Sequence, residues 1–105
     1  MRTFRQMKLI GIDKLIDFWK AKRDAENALR MWIQNVEQMT WKNPAETRLT
    51  YRHADLVGDC TVFNVRGNNY RLIARINYES QIVEVLHILT HTEYDKDKWK
   101  KDCDC

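Results

Sequence analysis

The chain has 105 residues, of which 44% are hydrophobic and 31% charged, with four Trp and a formal net charge of +3. This is enough chain for one core and too little for two, and too apolar for a disordered chain, so one domain over residues 1–105 is expected. No apolar run approaches the roughly 20 residues that a membrane-spanning helix needs, and no signal-peptide pattern is present, which makes a cytoplasmic location without membrane contact the expectation.

In chain order, Met7 follows six residues read as an N-terminal extension, and MKLIG at 7–11 predicts a short strand. Ile12, Leu15, Ile16 and Trp19 then recur at helical spacing, and so do Ala25, Ala28, Leu29, Trp32, Val36 and Met39, with Asp24 as the expected N-cap of the second helix. The polar stretch from Lys42 to Asp59 carries the only proline, Pro44, and reads as a connecting loop with at most a helical turn. Such long loops are often functional. From Thr61 the period changes to two: TVFNV and YRLIARINY flank the turn formers RGNN, and a second turn at 79–81 leads into IVEVLHIL. The expected fold class is α+β, with two N-terminal helices packed on one face of a small, twisted, mostly antiparallel sheet and a short helix at the C-terminus.

The three cysteines, Cys60, Cys103 and Cys105, are odd in number, and two are crowded into the last three residues. That is no disulfide framework, and a zinc site would need a fourth ligand. The reading is a flexible, reduced tail over 101–105, with no metal and no cofactor.

Alternation assigns the strand YRLIARINY to two faces: Leu72, Ala74, Ile76 and Tyr78 toward the helices, Arg71, Ile73, Arg75 and Asn77 outward. Arg71 and Arg75 are read as a pair about 7 Å apart, near the spacing of neighbouring phosphates. The charge is uneven: residues 1–23 carry +5 and residues 24–60 carry −2, while 61–90 carry +1 and 91–105 carry −1. Basic groups on the central strands suit a polyanion, although ordinary solvated charge would look the same.

The stretch THTEYDK, residues 90–96, ends the last strand with groups able to move protons. Thr90 and Glu93 have capping-box spacing, so a short helix should begin there and put His91 and Tyr94 along one edge. A histidine and a tyrosine beside arginines can cleave RNA without a metal. The bland alternative is a capping histidine and a tyrosine that covers the core edge.

The segment ADLVGDCTVFNVRGNNYRLIARINYESQIV followed by LTHTEYDK, together with DKLIDFWKAKRDAENALRMWIQNV and WKNPAE, closely resembles the HigB toxin family of type II toxin–antitoxin modules, a branch of the RelE-like ribonucleases. The resemblance runs from Met7 to Lys100. It implies a RelE-like fold and an endoribonuclease, an mRNA interferase that cuts messenger RNA on the translating ribosome and inhibits translation. A small HigA-like helix-turn-helix antitoxin would silence it, and the complex would bind operator DNA. Carried over by position, it implies His91, Tyr94, Arg71, Arg75 and Lys96 as catalytic, and Arg66, Asn68 and Lys98 as RNA-binding. The acid and base roles of His91 and Tyr94 are left open.

One departure bears on activity. Relatives often carry a basic residue in the strand before the TH pair, where this chain has Leu86 with His87 beside it. Alternation would put these two on opposite faces, so a simple replacement by His87 is not expected, and a non-catalytic RNA- or protein-binding module of the same fold is the alternative function. His87 is read as a partly buried sheet histidine and His53 as a solvated loop residue, with a loop histidine near RNA as its alternative. Trp19 and Trp32 are read as core, Trp41 as closing the second helix, and Trp99 as packing the C-terminal helix down.

Overall fold

The structure, a computed structural model, describes residues 6–104. The expected N-terminal extension thus lies outside the described residues except for Gln6, which is exposed, and so does Cys105. The first element is β1 (Lys8–Ile10), followed by helices α1 (Ile12–Ala21) and α2 (Glu26–Gln38). Gly11 makes the turn between β1 and α1 at φ 88°, and a Cβ there would come within 2.7 Å of the Val85 carbonyl oxygen. Both the backbone conformation and the close approach therefore call for glycine.

Leu15 and Trp19 of α1 and Leu29, Trp32 and Val36 of α2 form the buried helix faces, as their spacing requires. Asp24 is not the cap of α2. It lies in a 3-10 turn, Arg23–Ala25, and the capping position falls on Ala25, which makes no side-chain bond. The Asp24 carboxylate is engaged elsewhere: it accepts from the Tyr70 hydroxyl at 2.6 Å and pairs with Arg66 at 3.3 Å.

The stretch expected as a loop holds two elements, α3 (Pro44–Thr50) and β2 (Asp55–Val57). Asn43 accepts from the Glu46 amide at 2.9 Å, Glu46 accepts from the Lys42 amide at 2.8 Å, and Pro44 occupies the first turn, where a missing N–H costs nothing. Trp41 is 2% exposed at the junction and donates to Thr50.

Strands β3 (Cys60–Val65), β4 (Tyr70–Asn77) and β5 (Ile82–Thr90) complete a five-stranded sheet of order β1-β5-β4-β3-β2. All neighbours are antiparallel except β1 and β5. The helix-facing core takes in Phe63, Leu72, Ala74, Val83, Val85 and Ile88 with the two helices.

The other face is only partly open to solvent, which corrects the outward assignment of Ile73 while Arg71, Arg75 and Asn77 stay at least partly exposed. Ile73 is fully buried in a second cluster with Cys60, Val62, Trp99 and Cys103. The cover comes from α4 (His91–Asp95) and a 3-10 helix over Lys98–Cys103. The flexible, reduced tail is likewise corrected: Cys103 is buried and disulfide-bonded to Cys60, with Cα atoms 5.3 Å apart and a sequence separation of 43. Closing a loop of that length stabilises by about 4 kcal/mol on a chain-entropy argument.

The opposite-face assignment of Leu86 and His87 is also overturned. The β4–β5 register pairs Ile73 with His87 and Ala74 with Val85, so Leu86 is the extra residue of a bulge. Val83, Val85 and Ile88 stay on the helix side, while Leu86 packs on the second cluster and His87 reaches Asp102 of the covering segment at 2.8 Å. Among the described residues no helix is long and apolar enough to cross a membrane.

Candidate nucleic-acid interface and active site

The second face of the sheet is where the proton-carrying and basic side chains gather. β5 delivers the chain into α4 at Thr90, whose hydroxyl accepts from the Glu93 amide at 3.3 Å while Glu93 accepts from the Thr90 amide at 3.0 Å. This capping box is the one the THTE spacing predicted. It fixes Tyr94 on the turn that leans back over β4.

The Tyr94 ring has two partners, Trp99 and Arg71. The Trp99 ring lies nearly parallel, at 5.0 Å between centroids and 13° between planes, and its indole donates to the Tyr94 carbonyl at 3.0 Å. The Arg71 guanidinium also sits 5.4 Å from the Tyr94 ring centroid, a cation–π distance. Arg71 is itself aimed by the backbone, donating from Nη1 to the carbonyls of Asn68 and Tyr70. Desolvation pushes the Tyr94 phenol above its ordinary pKa, the nearby Asp55 carboxylate adds to the shift, and Arg71 opposes it. The phenol is therefore protonated across the neutral range.

Tyr94 and Arg71 open onto a concavity of about 460 Å³, whose other walls are Arg48, Arg52, His53 and Asp55, with Val62 and Asn64 at its floor. Arg48 comes from α3, its Nε donating to the Ala54 carbonyl at 3.1 Å. Arg52 and His53 follow on the turn that leads into β2 and are exposed. Three guanidinium groups, an imidazole and a phenol thus share one polar hollow. Sequence reading missed Arg48 and Arg52, because a loop gives no periodicity from which to assign a face; His53 is exposed, as expected, and also lines the hollow. The signal that was present is the cluster RLTYRH at 48–53 itself, with the basic side chains Arg48, Arg52 and His53 in six residues.

The other expected site residues are spread more widely. His91 begins α4 on the exposed surface, its Nδ1 3.1 Å from Asp95, and it does not line the hollow with Tyr94. Arg75 lies four residues along β4 from Arg71, about 13 Å at 3.3 Å per residue, which corrects the expected 7 Å spacing. It is held by Asp59 at 3.5 Å, Glu84 at 3.6 Å and the Asp102 carbonyl. Arg66 and Asn68 sit in the β3–β4 turn, where Arg66 adopts φ 51° and pairs with Asp24. Lys96 and Lys98 belong to a second concavity of about 350 Å³, with His87, Leu89, Glu93, Trp99, Lys101 and Asp102. His87 holds the Asp102 carboxyl below the usual carboxylate range.

Helices on one face of a mostly antiparallel sheet, with arginines, histidines and a tyrosine on and around the other, define a small RelE-like α+β protein. The sequence profile of the HigB toxins, described as the RelE-like toxic component of a toxin–antitoxin system, matches residues 25–97. An mRNA interferase HigB of Escherichia coli O6:H1 is 33% identical over 72 residues, which cover 66% of this chain and 70% of that protein. The chain therefore belongs to the HigB toxin family.

Proposed function

We propose that this toxin is an endoribonuclease that cuts messenger RNA in the cytoplasm, on the translating ribosome, and that a HigA-like helix-turn-helix antitoxin neutralises it and carries the complex to operator DNA. The observation that supports cutting is the concavity in which Arg48, Arg52, Arg71, His53 and a protonated Tyr94 converge. The name of the Escherichia coli relative supports the substrate.

The chemistry asks for three things, and each has a side chain. A base removes the proton of a ribose 2′-hydroxyl, whose oxygen attacks the adjacent phosphorus. Guanidinium groups neutralise the charge that develops on the phosphoryl oxygens, Arg71 from the sheet and Arg48 and Arg52 from the α3 side. Tyr94 then protonates the departing 5′-oxygen, which leaves a cyclic phosphate on one fragment and a hydroxyl on the other. No step in this scheme calls on a metal ion. The geometry favours His53 as the base, since it shares the hollow with Tyr94, and leaves His91 to bind the strand from outside it. Arg75, Lys96 and Lys98, with Arg66 and Asn68 in the turn, supply contacts along the flanking surface.

The test is induction in a bacterial host of the wild type, Tyr94→Phe, His53→Ala and His91→Ala, read as growth arrest and transcript cleavage. The wild type should arrest growth and cut. Tyr94→Phe and His53→Ala should do neither, while His91→Ala retains cleavage with weaker RNA binding. Loss of cleavage in His91→Ala alone would exchange the two histidines. A folded wild type that binds RNA and cuts nothing would make the chain a binding module.

A further inference from the structure

The Cys60–Cys103 bond has no part in the chemistry above, and Cys103 lies beyond the stretch matched by the family profile, which ends at residue 97. It closes the segment that supports Tyr94. Between Tyr94 and the disulfide, the six-residue 3-10 helix contributes Trp99, 3% exposed, as a platform that stacks under the phenol ring and binds its backbone carbonyl. Beyond the disulfide anchor, the segment is tied down by the Asp59 amide donating to the Cys103 carbonyl at 2.9 Å and by Asp102 contacts to His87 and Arg75. A helix this short does not hold itself together, so its order depends on what fastens it to the sheet.

We infer that the Cys60–Cys103 disulfide is a redox latch, which holds the Trp99 platform under Tyr94 when oxidised and lets it loosen when a cellular dithiol reduces it. The inference rests on the proposed role of Tyr94. In the reducing step the dithiol gives two electrons and two protons to the Cys60–Cys103 bond; the S–S bond breaks, two protein thiols form, and the dithiol closes to its own disulfide. Both sulfurs are buried, so reduction passes through opening of the segment whose end carries Cys103. The arginines of the hollow stand on α3, on β4 and on the turn after α3, outside the latched segment, and keep their places. Reduction should therefore lower the cleavage rate by more than it weakens RNA binding, since only the flanking contacts of His91, Lys96 and Lys98 lie on the loosened segment. Trp99 acts as a positioning residue rather than a catalytic one.

The experiment takes the full chain in two forms, oxidised and dithiol-treated, with the thiols counted by alkylation and mass spectrometry. Amide exchange over residues 91–103 should rise on reduction and stay unchanged in α1 and α2. The cleavage rate should fall on the order of tenfold to a hundredfold, as a small displacement of a proton donor does, while the dissociation constant for RNA rises by a smaller factor. Cys103→Ser should behave as the reduced form whether or not dithiol is present, and Trp99→Phe should restore more of the rate lost in Trp99→Ala than of its stability. Equal exchange in the two redox forms, or a dithiol response that survives in Cys103→Ser, would overturn the latch. If neither form cuts RNA, the proposed activity fails, while the exchange contrast still decides whether the latch exists.

Discussion

The two faces of the sheet are covered in different ways. On one, α1 and α2 bring 23 residues of helix and bury Leu15, Trp19, Leu29, Trp32 and Val36 against Phe63, Leu72 and Val85. On the other, a single turn of helix and a six-residue 3-10 segment cover Ile73 and Val62 with Trp99 and one disulfide. The thick cover carries no candidate site residue except the Asp24 contact to Arg66, and the thin one carries Tyr94. The proposed site lies under the thinner cover, as expected for regions that must admit a ligand.

The largest expected effect that separates the faces is on activity. Tyr94→Phe should lower the rate of RNA cleavage by about 10² to 10⁴, the usual worth of a positioned proton donor, while a denaturant melt stays within about 0.5 kcal/mol of wild type because the stacked ring is kept. Trp32→Ala should do the reverse and cost about 3–5 kcal/mol in the same melt, since it empties a site that is 3% exposed between α2 and Phe63. Cys60→Ser should cost about 2–4 kcal/mol when compared with the oxidised wild type, and nothing comparable against the reduced one.

The smallest effect is a pH dependence confined to the thin face. The Asp102 carboxyl is held low by the hydrogen bond from His87, with Lys101 and Arg75 nearby. A depressed carboxyl stabilises the fold above its unfolded pKa, near 3.9, and that contribution is lost as pH falls through the lower folded value. Amide exchange of residues 98–103 should therefore rise on acidification below about pH 4 in the wild type, and this response should be absent in Asp102→Asn. A uniform rise in α1 and α2 as well would show that the two faces do not open separately.

Much of this was legible in the chain. The period of 3.6 in α1 and α2, the period of two in β3 and β4 and the THTE capping box each depend on residues close in sequence, so local chemistry was enough. The HigB resemblance identified the family and the RelE-like arrangement. The helix α3 was written in Asn43, Pro44 and Glu46, and a stricter reading of that cap would have found it.

The tertiary structure decided what depends on residues far apart. Whether Ile73 is outside or buried turns on a segment 25 or more positions later folding back over it. The bulge at Leu86, which puts His87 on the same side as Leu86, follows from how β5 meets β4, although the step of three from Val85 to Ile88 marks it in hindsight. His53 and Tyr94 meet across 41 positions, and the pairing of Cys60 with Cys103 spans 43. Spacing along the chain determines which face of its own helix or strand a residue takes. Which distant group it then meets is determined only when the elements pack and the chain closes on itself.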